Sequence, residues 1–235
     1  MEKCFIVDEN VFEVMPEYCV GLVSVKGIKN DSVIKEIEVL LDRNVKAFAE
    51  QYQGQNVREI KNIQAFREAF YKLEMNPNKY MCSIEALAKR AQKAGALPHI
   101  NPVVDLGNAL SIKYVLPMGA HDIDRCESDL KVRFSETGDT FLPLGEEKQE
   151  EPAEGELVYA SSNVVKTRRW IWRQSEDGKI TSESENLVFP IDGFMNVSGQ
   201  DVIAARDELA ELLKTFWNCE VKMGLIDRNC NRFRL

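Results

Sequence analysis

The sequence predicts an α+β fold in which helices are layered on a mixed β-sheet. Three observations predict it. Helical periodicity dominates residues 31–116, short runs rich in β-branched residues dominate residues 130–192, and one more helical pattern follows Ser198.

Taken in order, Cys4 to Val7 and Val20 to Val25 are short β-branched runs separated by a turn signal around Pro16, and two early strands follow from them. From Asp31, a candidate N-cap, Val33, Ile34, Ile37, Leu40 and Leu41 recur at helical spacing, which predicts a helix reaching about Tyr52. A second helix is expected over Ile63 to Leu73. Asn76-Pro77-Asn78 breaks the chain, because the residue before proline is driven out of helical geometry. Ser83 then caps a third helix, closed by Gly95 and Pro98. Residues 100–116 read as a buried, largely apolar helix ended by Pro117.

Segments 130–134, 156–160, 164–173 and 186–192 are strand-like. The stretch at 146–156, mostly glutamate, reads as a solvated loop. The pair Ser198 and Asp201 is a weak capping-box match for a last helix to about Trp217, and Arg228, Arg232 and Arg234 end the chain as a flexible basic tail. The domain reading is an N-terminal α/β extension over 1–75, packed on a main domain over 76–235.

With 235 residues, 44% of them hydrophobic, the chain has material for a real core. No basic leader precedes an apolar run, and no apolar stretch reaches spanning length, so the expectation is a cytoplasmic protein with no membrane partner. Its six cysteines stand far apart, with no Cys-x-x-Cys pair and only two histidines, so neither a metal nor any other cofactor is expected. Most of these thiols read as small buried hydrophobes, with Cys126 the one to test for reactivity. A net charge of −8 argues against coating nucleic acid by bulk electrostatics, and no DNA partner is expected; a local basic groove remains compatible with it.

Two segments carry the chemistry. In the first, Asn101, Asp105 and Asn108 are spaced four and three apart, which puts them on one helix face; such buried polar groups either brace the following turn or contact a substrate. In the second, Lys166-Thr167-Arg168-Arg169-Trp170-Ile171-Trp172-Arg173-Gln174 is the densest cationic stretch. As a strand it places Arg168, Trp170 and Trp172 on one face and Arg169, Ile171 and Arg173 on the other. Arginines pair with phosphate or carboxylate and an exposed tryptophan stacks a base, whereas the bland alternative puts the tryptophans in the core and pairs the arginines with acids.

The stretch Ile100-Asn101-Pro102-Val103-Val104-Asp105-Leu106-Gly107-Asn108-Ala109-Leu110, followed by Leu116-Pro117-Met118-Gly119-Ala120-His121-Asp122, resembles the signature of the B-three/B-four editing module of the phenylalanyl-tRNA synthetase beta subunit. Arg133, the strand Leu157-Val158-Tyr159-Ala160, Ser175-Glu176 and Asn186-Leu187-Val188-Phe189 extend the resemblance. The Ser83 helix and the Arg168-Arg169-Trp170 segment are similar to free-standing relatives of that module. The resemblance implies the editing-domain fold, tRNA (acceptor end) or an aminoacyl-adenosine-like ligand as partner, and a role in translation quality control. The sequence departs from the pattern where the pocket is made: the family's Thr, His and Glu fall on Gly107, Gly119 and Pro190. His121 and Asp192 each lie two residues further on and are the candidate catalytic pair, with Asn101, Asp105, Asn108, Gly119, Arg169, Trp172, Arg173 and Gln174 as candidate substrate or tRNA contacts. The functional expectation is a trans-acting deacylase for a mischarged tRNA. The alternatives are a module that binds tRNA or an amino acid without the chemistry, and an interaction protein using the long first helix.

Overall fold

The computed structural model describes residues 2–235. In chain order its elements are β1 (Cys4–Val7), α1 (Glu9–Val14), β2 (Tyr18–Val25), α2 (Lys35–Gln51), α3 (Lys61–Lys72), α4 (Ser83–Ala94), α5 (Pro102–Tyr114), β3 (His121–Asp122), β4 (Leu130–Phe134), β5 (Leu157–Ser161), β6 (Val164–Arg168), β7 (Arg173–Gln174), β8 (Leu187–Phe194), α6 (Met195–Trp217), β9 (Val221–Ile226) and β10 (Arg232–Arg234). They build two sheets and a helical layer, an α+β architecture. One sheet runs β10-β1-β4-β5-β6-β7, with β1 and β4 parallel; the other, wholly antiparallel, runs β3-β8-β2-β9. Strands from the first 25 residues thus belong to both sheets.

The four-stranded sheet packs on α6, and the approach is close. A Cβ on Gly193 would sit 2.3 Å from Val202 Cγ2, and one on Gly21 would sit 2.9 Å from Val202 Cγ1. Glycine on β2 and β8 therefore lets the helix lie nearly on the backbone. Helices α2, α4 and α5 pack on one another and α5 reaches α6, so one large apolar core runs from Phe5 through Val45, Leu106, Phe189 and Leu209, all fully buried, beside a small separate cluster of Phe141, Val158, Ala160 and Val165.

Several expectations are corrected. Helix α2 begins at Lys35 rather than after Asp31, since Ile34 is extended and Val33 is left 74% exposed. Ser83 and Ser198 are not N-caps. Cys82 and Phe194 hold those positions, and Ser198 Oγ instead accepts the Phe194 amide from one turn inside α6. The short α1 carries no sequence signal long enough to mark it. The basic end of the chain is not a loose tail: β9 pairs with β2, and β10 pairs with β1 in the register Cys4 to Arg234.

The strand expected over 164–173 is broken after Arg168. Arg169 and Trp170 both adopt left-handed backbone, with φ of 48° and 59°, a conformation unfavourable for bulky side chains. Two such residues in succession cancel the pleat, so the predicted alternation of faces does not hold. Trp170 enters the core, and the chain returns as β7, pairing Arg168 with Arg173.

Candidate functional site

The two sheets meet at a half-open pocket of about 110 Å³. Tyr159 and Thr167 reach it from β5 and β6, Arg173 and Gln174 from β7, and His121, Pro190 and Asp192 from the other sheet. Segment 117–119 runs beside β8 and completes that wall: the Gly119 amide donates to Pro190 O at 3.1 Å, and the Asp192 amide to Pro117 O at 3.0 Å.

Asp192 is 2% exposed. One of its oxygens, Oδ1, accepts from Tyr18 Oη at 2.5 Å, Tyr159 Oη at 2.7 Å and Trp170 Nε1 at 3.0 Å. No protein group among those described donates to Oδ2, and the side chain borders the pocket. Burial pushes its carboxyl up from the ordinary 3.8 to about 6, against the three hydrogen bonds, which favour the charged form. Asp192 is therefore an ionised but only weakly acidic group near neutral pH, with one oxygen committed to the fold and the other without a donor among the described groups, in a residue that lines the cavity.

His121 is equally buried. Its ring stacks on Tyr159, with centroids 5.4 Å apart and planes 15° apart. Burial, helped by the charge of Lys166, holds the imidazole down to about 4, so it is neutral at physiological pH. Nδ1 is buried without a partner. A bare lone pair is the less costly group to leave unpaired there, and this favours the tautomer with the proton on Nε2. His121 borders the pocket, and Nε2 lies 3.7 Å from the position a Gly119 Cβ would take. The pocket lining thus holds a carboxylate that accepts from the Tyr159 hydroxyl and an imidazole stacked on the Tyr159 ring.

The other candidates divide by location. Gly119, Trp172, Arg173 and Gln174 line the same pocket. Gln174 Nε2 donates to Ala120 O at 3.2 Å, tying β7 to the wall opposite. Arg169 stands behind that lining, stacked on Tyr80 at 4.0 Å and paired with Glu156 at 3.2 Å. Asn101 and Asp105 are not in the pocket. Asn101 caps α5 by accepting the Val104 amide, and Asp105 accepts the Ile100 amide and meets His99 Nδ1 at 3.2 Å. These two border a separate hollow of about 170 Å³ with Ile34, Glu38 and His99. Asn108 lies half-buried on α5, lining neither.

The groups that sequence reasoning missed are Tyr18 and Tyr159, the donors that hold Asp192. Tyr159 lies in a stretch already singled out, but nothing in its spacing marks it as a partner of Asp192 across the gap between sheets. Cys126 is buried and burial raises its thiol. Among the described residues no group of His, Cys, Asp or Glu side chains is arranged to hold a metal ion, and no helix is long and apolar enough to cross a membrane.

An α+β module with a buried carboxylate and a neutral imidazole at the seam of its two sheets is the class that these features define. The chain belongs to the B3/4 domain family, which matches residues 65–216. Among solved structures it is similar to an N-terminal fragment of the phenylalanyl-tRNA synthetase beta-subunit from Pyrococcus horikoshii, at 10% identity and a TM-score of 0.45, over 92% of this chain and 49% of that one. It therefore spans about half the length of that fragment. A comparison with curated proteins found no match.

Proposed function

We propose that this pocket receives the aminoacyl end of a charged tRNA, or an aminoacyl-adenosine-like ester, and hydrolyses the ester in trans. The observation that carries the proposal is the division of labour at Asp192, a pocket-lining residue whose Oδ1 is held by three donors while Oδ2 accepts from no described group. In this reading a water bound at Oδ2 gives its proton to the carboxylate as its oxygen adds to the ester carbonyl carbon. The Nε2–H of His121 donates to the carbonyl oxygen as negative charge gathers there. The bond from carbonyl carbon to ribose oxygen then breaks, and the proton passes from Asp192 to the departing oxygen. The amino acid and the uncharged ribose hydroxyl are released. An aminoacyl ester is already activated, so positioning, desolvation and one oxyanion donor suffice for substantial acceleration.

A second reading has its own support. Gly107, Gly119 and Pro190 supply no polar side chain where the resembling module carries Thr, His and Glu. If the chemistry is lost, Asp192 pairs with the α-ammonium of the amino acid and the protein only binds. Incubation of the purified protein with a panel of charged and mischarged tRNAs separates the two. Turnover above background that falls by about a hundredfold or more in Asp192→Asn and His121→Gln supports hydrolysis. A tRNA gel shift without turnover supports binding. Turnover indifferent to both substitutions contradicts the assignment.

A further inference from the structure

We propose that the mouth of the pocket is a nucleotide subsite, in which Trp172 stacks a nucleobase and Arg173 takes the adjoining phosphate in place of Glu146. The inference rests on the aminoacyl reading of the pocket and names what recognises the nucleoside next to the ester.

Trp172 borders the pocket and is half-buried, and its ring is already fixed. Tyr80 meets it edge-on, with centroids 4.9 Å apart and planes at 70°, and the Arg169 guanidinium lies 5.0 Å from its centroid and 4.0 Å from that of Tyr80. Glu156 anchors Arg169 in turn, at 3.2 Å. A ring held this way loses little freedom when a base settles on it, and stacking is tolerant of base identity because every base has a π-face. The successive left-handed residues Arg169 and Trp170 bring Trp172 and Arg173 to the mouth instead of leaving them in a straight strand. Backbone held in such a conformation clusters at functional sites.

Charge supports the phosphate assignment. The glutamate-rich segment 146–156 lies against the arginines: Glu146 pairs with Arg173, Glu150 and Glu156 with Arg168, and Glu156 also with Arg169. Arg168 and Arg169 are largely covered, and their pairs belong to the fold. The Arg173–Glu146 pair, at 2.6 Å, is 35% and 47% exposed, and an ion pair so open to water contributes little. A phosphate offers the Arg173 fork the same two-oxygen grip that a carboxylate does, and the pair it replaces is open to water, so it displaces Glu146 at small cost.

Calorimetric titration with AMP and with adenosine tests this, each variant first checked for a cooperative thermal transition. Trp172→Leu is expected to weaken both ligands by about tenfold, while Trp172→Phe keeps most of the affinity. Arg173→Gln is expected to weaken AMP by about tenfold and spare adenosine, and Glu146→Gln to tighten AMP alone. No AMP binding by the wild-type chain, or binding indifferent to Trp172→Leu, overturns the subsite; equal affinity for AMP and adenosine overturns the role of Arg173. Hydrolysis of mischarged tRNA without AMP binding would remove the subsite alone. AMP binding that follows this pattern, without turnover of any charged tRNA, would support the subsite and remove the hydrolytic reading instead.

Discussion

Substituting the two buried pocket groups is expected to change the acid response of stability in opposite directions. Burial, with the Lys166 charge, holds His121 down from 6.5 to about 4 in the folded chain. As pH falls from 6.5 to 4 the unfolded chain takes up this proton and the folded chain does not, so folding loses stability. At about 1.4 kcal/mol for each pH unit of displacement, the loss is about 3 kcal/mol. Asp192 acts with the other sign. Burial raises its carboxyl from 3.8 to about 6, so the folded chain binds the proton first. That stability is fully present below about 3.8 and is lost as pH rises through about 6, again about 3 kcal/mol. In the wild-type chain the two contributions nearly cancel. Relative to wild type, His121→Gln is therefore expected to gain about 3 kcal/mol between pH 7 and pH 4, and Asp192→Asn to lose about 3 kcal/mol. Asparagine keeps an oxygen for Tyr18, Tyr159 and Trp170, so the fold tolerates the change. Urea unfolding followed by tryptophan fluorescence at pH 4, 5, 6 and 7 measures both differences, and every other titrating group drops out of the comparison. Two flat difference curves, or two of the same sign, would refute the burial argument for the pair.

Other expectations concern the frame around the site. Glu85 is fully buried among Lys89, Arg67 and Arg58 at 2.7, 2.9 and 3.2 Å; burial alone would raise its carboxyl, but Lys89 and Arg67 pull it below the ordinary value. Glu85→Ala strands those cations and is expected to cost about 3 kcal/mol in denaturant unfolding, against little loss for a remote exposed glutamate such as Glu13. Gly193→Ala drives a methyl to 2.3 Å from Val202 Cγ2 and 2.9 Å from Ser198 Oγ, so α6 must lift from β8, at about 3 kcal/mol and roughly 10 °C in Tm. Thiol labelling of the native chain is expected to reach exposed Cys230 first and to spare Cys82, whose thiol burial raises to about 12, and Cys126 until the protein unfolds. Rapid labelling of Cys126 would mean that its surroundings open in solution.

Where helices lie was legible because their information is local. Ile37, Leu41, Val45 and Phe48 share one face of α2, and the Gly95 that closes α4 has the left-handed φ of 65° that its position as a stop signal suggested. The site was legible only in part. His121, Arg173 and Gln174 were marked, and they share a cavity. What was hidden is the seam between sheets: the bonds from Tyr18 and Tyr159 to Asp192 cross 174 and 33 residues of chain, and no periodicity encodes them. The Arg-Trp segment misled for a related reason. Alternation presumes an unbroken pleat, and the left-handed turn at Arg169 and Trp170 is stabilised from outside the segment, by the burial of Trp170 against Tyr18, Phe66 and Phe70. Asn101 and Asp105 show the opposite case, since their spacing marked polar groups that cap and brace α5 away from the pocket.

The decisive measurement is a crystal structure with a non-hydrolysable 3′-aminoacylamino analogue of adenosine. The amino acid is expected within the pocket, with its carbonyl oxygen in hydrogen-bond range of His121 Nε2, a water or ammonium group on Asp192 Oδ2, and the adenine against Trp172. Density for the analogue beside Asn101 and Asp105, or an empty pocket at saturating concentration, would contradict the assignment of Asp192 and His121 as the aminoacyl site.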